Sequence, residues 1–281
     1  MKTLFVCTGN TCRSPMAAAL YNKLSGTEDA FSAGLCVMQP SSASKNAAAA
    51  VEKYGASLKN HASHMLCEED IRRAERVVTM TLQQKYAVEE AFGISSETLA
   101  EYAAHGEDIA DPFGGSQAVY DECAAQIYAY IKEGLCRENT RLAQTADIKA
   151  VAALESEIFP DAWSEKTLEQ MSGACRILAC KMHGEICGYC VFTVAADEGE
   201  ILRIAVKEEL RGEKIGYVIL KRALEEMQAC GARKAYLEVR EGNIPAISLY
   251  TRAGFEKIGI RKNYYSDNGE NALVFNIDLK E

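Results

Sequence analysis

Along the first half of the chain, apolar positions fall into two alternating kinds of run. Thr3-Leu-Phe-Val-Cys7 is an unbroken apolar stretch of strand length, followed by a polar turn and an Ala-rich stretch of helical character from Ser14 to Leu24. Helical spacing returns over Ala47–Tyr54, and Arg76-Val-Val-Thr-Met80 is a second strand-like run. Further helices are predicted over Leu82–Ala91 and Gln117–Lys132, the last ended by Gly134 as a left-handed cap. Strands alternating with helices in this way predict an α/β fold built on a parallel sheet.

The pattern changes after Gly134. Arg141-Leu-Ala143 has strand character, Thr145 stands where a helix N-cap is wanted, and Ile148, Val151, Leu154 and Ile158 recur at helical spacing. Three strand-like runs follow in succession, Arg176–Met182, Cys187–Ala195 and Glu200–Val206. A long helical stretch over Ile215–Cys230 and a strand over Ala235–Val239 come after them. This is a different topology from the first half, and it predicts two domains, 1–137 and 138–281. The length supports both, because a domain of about 140 residues buries roughly two-thirds of its unfolded surface.

Composition narrows the class. Apolar residues at 48% and charged residues at 25% exclude a disordered or fibrous chain. The longest apolar run, Ile186–Ala196, is too short for a bilayer and is broken by Gly188 and Thr193, so no membrane partner is expected. The opening residues lack a secretory layout, which points to a cytoplasmic protein. The net charge of −9 is spread, −5 over residues 1–137 and −4 over the rest, and argues against direct nucleic-acid binding. Eleven cysteines, an odd number in a chain of this size, do not suggest a disulfide framework. Cys187-Gly-Tyr-Cys190 has a chelating spacing, but residues i and i+3 of a strand point to opposite faces, so no metal is expected.

The first candidate site is the turn between the first strand and first helix, Cys7-Thr8-Gly9-Asn10-Thr11-Cys12-Arg13-Ser14. A loop there lies at the carboxyl edge of a parallel sheet, and its amides with the helix N-terminus form an anion cradle. Gly9 and Asn10 can supply left-handed backbone that turns successive amides inward. Cys7 at its base is placed to act as a thiolate nucleophile, Arg13 to fork two phosphoryl oxygens, and Ser14 to ease departure of the sulfur. His61 and His64 flank a loop from which they could brace the cradle from behind, but as lone histidines they are read as ordinary hydrogen-bonding residues and left out of the site.

The run Phe5-Val-Cys-Thr-Gly-Asn-Thr-Cys-Arg-Ser-Pro-Met-Ala17, with Phe31-Ser-Ala-Gly34 and Asp111-Pro-Phe-Gly-Gly-Ser116 in order behind it, resembles the low-molecular-weight protein phosphatases over roughly residues 1–135. The resemblance implies a three-layer α/β/α sandwich, with Asp111 as general acid for a phosphocysteine mechanism. By itself Asp-Pro is only a favoured turn start. Thr11 with Cys12, and Phe113 after Asp-Pro, looks like the protein arginine phosphatase branch; tyrosine-directed members commonly carry an aliphatic residue at the Thr11 position. A phosphotyrosine substrate stays open as one alternative, and a second half of other or no acetyl-transfer activity as another. Gln83–Ala110 contains no cysteine, which argues against an arsenate reductase relay. Cys12 is close enough in sequence to Cys7 for a reversible disulfide.

The second candidate site lies in Glu200–Ile219. A strand, a turn holding Arg211 and Gly212, then Gly216 opening a helix make another anion cradle. The turn resembles the acetyl-CoA loop of GNAT acetyltransferases, with Lys214 where the first motif glycine belongs. Ile158-Phe-Pro-x2-Trp163-Ser-Glu-Lys, Leu237-Glu-Val-Arg-x2-Asn243-x2-Ala246, Leu249-Tyr-x3-Gly254-Phe255 and Arg261-Lys-Asn-Tyr-Tyr265 resemble the RimI family of ribosomal-protein alanine N-acetyltransferases over about residues 140–278. The resemblance implies a mixed, mostly antiparallel sheet and acetyl-CoA as the cofactor. Glu238 would be the general base and Tyr250 the general acid. Ile204, Ala205 and Val206 would line the pantetheine arm, Arg211, Gly212, Glu213, Lys214, Ile215 and Gly216 the pyrophosphate, with Asn243 beside them. The implied partners are phosphorylated protein substrates for the first half and a ribosomal protein N-terminus for the second.

Overall fold

Thr3–Cys7 (β1) is buried at every residue because both of its faces are covered. In the computed structural model, which describes residues 1–104 and 106–279, β1 is flanked on both sides by parallel strands. These are β2 (Ala30–Gly34) and β3 (Arg76–Thr79); the two-residue β4 (Glu97–Thr98) completes a four-stranded parallel sheet in the order β2-β1-β3-β4. Alternation along β1 sorts the helices. Phe5 and Cys7 face a core shared with α1 (Arg13–Ser25), α2 (Lys45–Glu52) and the helix over Gln117–Glu138. Leu4 and Val6 face the opposite cluster, packed with α3 (Glu68–Arg73) and α4 (Leu82–Phe92). The result is a three-layer α/β/α unit over Met1–Leu135.

A short helix, α5 (Leu99–Tyr102), explains why Gly134 does not cap the next one. The long helix α6 (Gln117–Glu138) continues through Gly134, where a Cβ would come within 2.0 Å of the Tyr102 ring. Gly134 is there for close packing against an aromatic face, not for left-handed backbone.

The second unit, from Cys136 onward, holds β5 (Thr140–Leu142), α7 (Thr145–Ile158), α8 (Glu165–Met171), β6 (Arg176–Met182), β7 (Glu185–Ala195) and β8 (Glu198–Val206). It continues with α9 (Ile215–Ala229), β9 (Lys234–Arg240), α10 (Ile244–Arg252), β10 (Glu256–Tyr265) and β11 (Glu270–Asp278). The seven strands are ordered β10-β11-β9-β8-β7-β6-β5, antiparallel except for β8 with β9. One face packs on α7 and α8, the other on α9 and α10. Gln144, not Thr145, is the N-cap of α7: its amide donates to Asp147 at 2.8 Å, and Asp147 also pairs with Arg141 and Lys181.

A bulge in β7 overturns the face argument for its cysteines. Pairing steps from Gly188–Cys180 to Ile186–Lys181, so Cys187 is the extra residue, and it joins Cys190 in the core cluster on the α9 side. The two thiols share a face despite the i, i+3 spacing. The Cys180 contact, and burial after it, push the Cys187 thiol far up, and no group of three His, Cys, Asp or Glu able to hold a metal occurs among the described residues.

Candidate active sites

Cys7 ends β1 and is buried, its sulfur 3.0 Å from Ser14 Oγ on the first turn of α1. Between them the loop turns at Asn10, whose φ of 52° is left-handed and whose side chain is fully buried. Asn10 Nδ2 donates to Ser14 Oγ (3.0 Å) and Ser32 Oγ (2.9 Å), and its Oδ1 accepts from the His64 amide (3.1 Å). The Asn10 carbonyl lies 2.7 Å from His61 Nε2. Gly9 was expected to share the left-handed turn, but its φ is not positive, and a Cβ there meets nothing nearer than Thr11 Oγ1 at 3.7 Å. The close approach occurs at Gly34 instead, where a Cβ would press on Asn10 Cβ and the Thr8 carbonyl at 2.9 Å.

The cradle is braced all round. Gln84 Nε2 donates to Thr8 Oγ1 at 3.0 Å, and the Ser44 amide donates to the Thr11 carbonyl at 2.9 Å. Cys12 precedes the first residue of α1, with its sulfur 3.2 Å from the Tyr120 hydroxyl. Arg13 is buried, donates through Nη1 to the Ile109 carbonyl (3.0 Å) and through Nη2 to Asp111 Oδ2 (2.6 Å), and keeps an unpartnered buried Nε. Asp111 is half-exposed and its Oδ1 accepts from the Phe113 amide at 3.2 Å; the Phe113 ring is exposed beside it. A thiol, a hydroxyl and a guanidinium therefore converge on one turn, with a carboxylate at its mouth.

In the second unit, β8 and β9 pair in parallel only from Glu198–Lys234 to Ile201–Leu237. A bulge at Leu202 then breaks the β7–β8 register, and Ile204, Ala205 and Val206 continue on β8 paired only with β7. Glu238 is the first residue of β9 past the split. Its carboxylate is largely buried, paired with Arg261 Nε at 2.8 Å and hydrogen-bonded by the Tyr264 hydroxyl, whose pKa that bond raises. Tyr250, on α10, packs edge-on against Phe255, and burial raises its hydroxyl well above the usual phenol value. Asn243 serves as the N-cap of α10, its Oδ1 accepting from the Ala246 amide at 3.2 Å.

The turn after β8 suits an anion. A short 3₁₀ turn over Glu208–Leu210 leads to Arg211, whose Nε donates to the Val206 carbonyl at 3.2 Å. Gly212 (φ 82°) and Lys214 (φ 61°) are both left-handed, and Ile215 and Gly216 begin α9. Lys214 thus adopts the backbone that a glycine would hold without strain.

Residues 2–145 match the low molecular weight phosphotyrosine protein phosphatase family, and residues 148–255 match the acetyltransferase (GNAT) family. The chain belongs to both. Its phosphatase half is 37% identical over 142 residues to the protein-arginine-phosphatase of Bacillus subtilis, spanning 47% of this chain and 93% of that protein. It is 35% identical over 130 residues to the low molecular weight protein-tyrosine-phosphatase PtpB of Staphylococcus epidermidis, spanning 46% of this chain and 92% of that one. The acetyltransferase half is 30% identical over 140 residues to the ribosomal protein bS18-alanine N-acetyltransferase of Escherichia coli, spanning 48% of this chain and 94% of that protein. The protein is an enzyme joining a phosphatase domain to a GNAT domain.

Several residues around these sites have positions to which the motifs assign no role. Ser32, His61 and His64 fix Asn10 and so shape the phosphatase cradle from behind. Burial lowers the pKa of His61, which favours the neutral ring at its bond to the Asn10 carbonyl. Arg261 and Tyr264 flank Glu238 in the GNAT domain. Their signal lay in the Arg261-Lys-Asn-Tyr-Tyr265 run of β10, where a register shift against β11 and left-handed Asn263 bring Arg261 and Tyr264 together despite their i, i+3 spacing.

Proposed function

We propose that the chain is bifunctional, dividing at about residue 137 into a cysteine-dependent protein phosphatase that prefers phosphoarginine and an acetyl-CoA-dependent N-acetyltransferase acting on the amino-terminal alanine of a ribosomal protein. The observation that carries the first activity is the convergence of Cys7, Arg13, Ser14 and Asp111. Arg13 and the loop amides of Thr8–Cys12 bind the phosphoryl oxygens. The Cys7 thiolate attacks phosphorus in line, the bond from phosphorus to the leaving nitrogen breaks, and the carboxyl of Asp111 protonates that nitrogen. Asp111 as carboxylate then takes a proton from water, the water oxygen attacks the phosphocysteine, and the thiolate departs with help from Ser14 Oγ.

The two phosphatase relatives are almost equally similar, so substrate choice rests on side chains. Thr11 puts a hydroxyl in the cradle loop, its Oγ1 3.7 Å from the Cys12 sulfur, and Asp111 offers carboxylate oxygen to guanidinium N–H groups that a phenol lacks. The decisive comparison is kcat/KM on matched phosphoarginine and phosphotyrosine peptides, with Cys7→Ser as blank. A phosphoarginine preference that falls with Thr11→Ile supports the reading; a phosphotyrosine preference refutes it.

For the second activity, the parted β8–β9 edge and the left-handed turn before α9 fit a long thioester arm joined to a diphosphate. Ile204, Ala205 and Val206 would line its arm, and Arg211 through Gly216 its phosphates. When bound, acetyl-CoA supplies an activated acetyl group. Glu238 takes the proton of the acceptor α-ammonium through a water, and Tyr250 gives its hydroxyl proton to the departing sulfur. Mass increase of an alanine-ended peptide by one acetyl group, lost in Glu238→Gln, tests it; no transfer by the unaltered chain refutes it.

A further inference from the structure

We propose that Arg203 is a positioning residue for acetyl transfer, holding the Phe159–Trp163 segment as one wall of the place where the acceptor amine meets Glu238. The inference rests on the acetyltransferase reading and adds a residue which that reading does not use.

Arg203 stands on β8 just past the bulge, one residue before Ile204. Its guanidinium lies between two rings, 4.4 Å from the centroid of Phe159 and 4.2 Å from that of Trp163. Its edge is forked between carboxylates: Nη1 donates to Glu155 and Nη2 to Asp161 at 3.0 Å. Glu155, on α7, is fully buried, and its Oε1 also accepts from the Trp163 amide at 3.1 Å. One cation thus ties α7, the segment between α7 and α8, and the strand edge together. A carboxylate buried this deeply needs that partner, and a planar cation between two rings fixes their orientation as an aliphatic side chain would not.

The location gives the clamp its meaning. Arg203 and Glu238 stand on the parts of β8 and β9 that no longer pair. Leu237 and Val239 face the cluster on the α9 side, so Glu238 between them points to the opposite face of the sheet, the face on which Arg203 meets Phe159, Trp163 and Glu155 of α7. The clamped segment therefore borders the mouth of the split on the side of the proposed base. Small displacements of such a wall misplace the acceptor without touching the donor.

The test uses the full chain, acetyl-CoA and a peptide with a free amino-terminal alanine. Arg203→Ala is expected to raise the acceptor KM about tenfold, while the acetyl-CoA KM stays within about twofold. Arg203→Lys should restore part of the loss, keeping a charge for Glu155 without the fork or the flat stack. Trp163 is the only tryptophan in the chain, so its fluorescence reports the segment directly; in Arg203→Ala its emission should move to the red and become more open to acrylamide. Should that variant not fold, Asp161→Asn removes only the exposed arm of the fork, with an expected rise in acceptor KM of about two- to threefold. Acceptor KM and Trp163 quenching both unchanged in Arg203→Ala, or both KM values rising together, would overturn the proposal. Absence of transfer by the unaltered chain overturns the acetyltransferase reading itself, and is seen before any substitution is made.

Discussion

Two strand–turn–helix cradles in one chain each place a residue other than glycine in left-handed backbone, and they hold it in opposite ways. Asn10, φ 52°, has its side-chain nitrogen and oxygen bonded to Ser14, Ser32 and the His64 amide, with His61 on its carbonyl. Lys214, φ 61°, sits at the N-cap of α9 without a side-chain bond to a helix amide. A left-handed residue costs roughly 1–2 kcal/mol wherever it stands. In the phosphatase domain that cost is offset by a buried network which also orients Ser14 at the nucleophile. In the GNAT domain the chain tolerates it in a partly exposed turn. The first cradle is rigid because its strain is over-determined; in the second the left-handed residue caps the helix without bonding its amides through the side chain.

The largest effects should separate the domains outright. Cys7→Ser is expected to remove phosphate release, by about a thousandfold or more, while leaving acetyl transfer by the same chain at its normal rate. Loss of both activities would break the comparison, since it requires each site to depend on the other. Within the phosphatase domain, Asn10→Ala should cost about 2–4 kcal/mol in thermal or denaturant unfolding of that unit, because it strands Ser14, Ser32 and the His64 amide. Asn10→Gly should cost nearly as much, although it relieves the left-handed strain. An Asn10→Gly variant as stable as the parent would show that the network contributes little.

Tyr250→Phe sharpens the same contrast on the GNAT side. Burial holds this phenol protonated far above neutral pH, so its proton is available at every working pH, and the variant should lose about 10²-fold in kcat with little change in stability. Equal kcat in Tyr250→Phe would move the acid elsewhere, with Tyr265 the neighbouring hydroxyl to try next.

What the chain disclosed of itself follows from where its information is local. Strands and helices were legible because burial on both faces of β1, and on one face of the long helices, leaves period and length in the residues themselves. Cys7, Arg13 and Ser14 were legible for the same reason: eight consecutive residues carry them. Gly134 misled because a glycine near a helix end is usually a cap, and only Tyr102, 32 residues earlier, shows that it is a packing surface. Cys187 misled because a bulge is a property of the pairing with β6, which no strand announces alone. Ser32 lies in the Phe31–Gly34 match with no role attached to it, and His61 and His64 lie in no motif; all three meet Asn10 only when β2 and the 61–64 segment pass behind the loop.

The histidine behind the cradle gives a smaller, pH-dependent test. Burial lowers the pKa of His61 below 6.5, so the folded state binds fewer protons than the unfolded one as the pH falls. Its contribution to stability is complete above 6.5 and is lost as the pH drops through the lower folded value. The phosphatase unit should therefore lose thermal stability from about pH 6.5 downward, and His61→Gln should flatten that slope. A variant with the slope of the parent would assign it to other groups.

The smallest effect is the most pointed, because it should have the opposite sign to Asn10→Gly. On backbone grounds Lys214→Gly removes the left-handed penalty and adds chain entropy to the unfolded state, a gain of about 0.5 kcal/mol for the GNAT unit before any side-chain contact is counted. Stability and ligand affinity can then be read apart. If Lys214 is kept only because the turn tolerates it, the variant is slightly more stable and binds acetyl-CoA as well as the parent. If its ammonium meets the phosphates, the variant is more stable and yet shows an acetyl-CoA KM raised by about threefold, with a shallower dependence on salt. A loss of stability in Lys214→Gly would contradict both, and would mean that the second cradle, like the first, is held by its side chain.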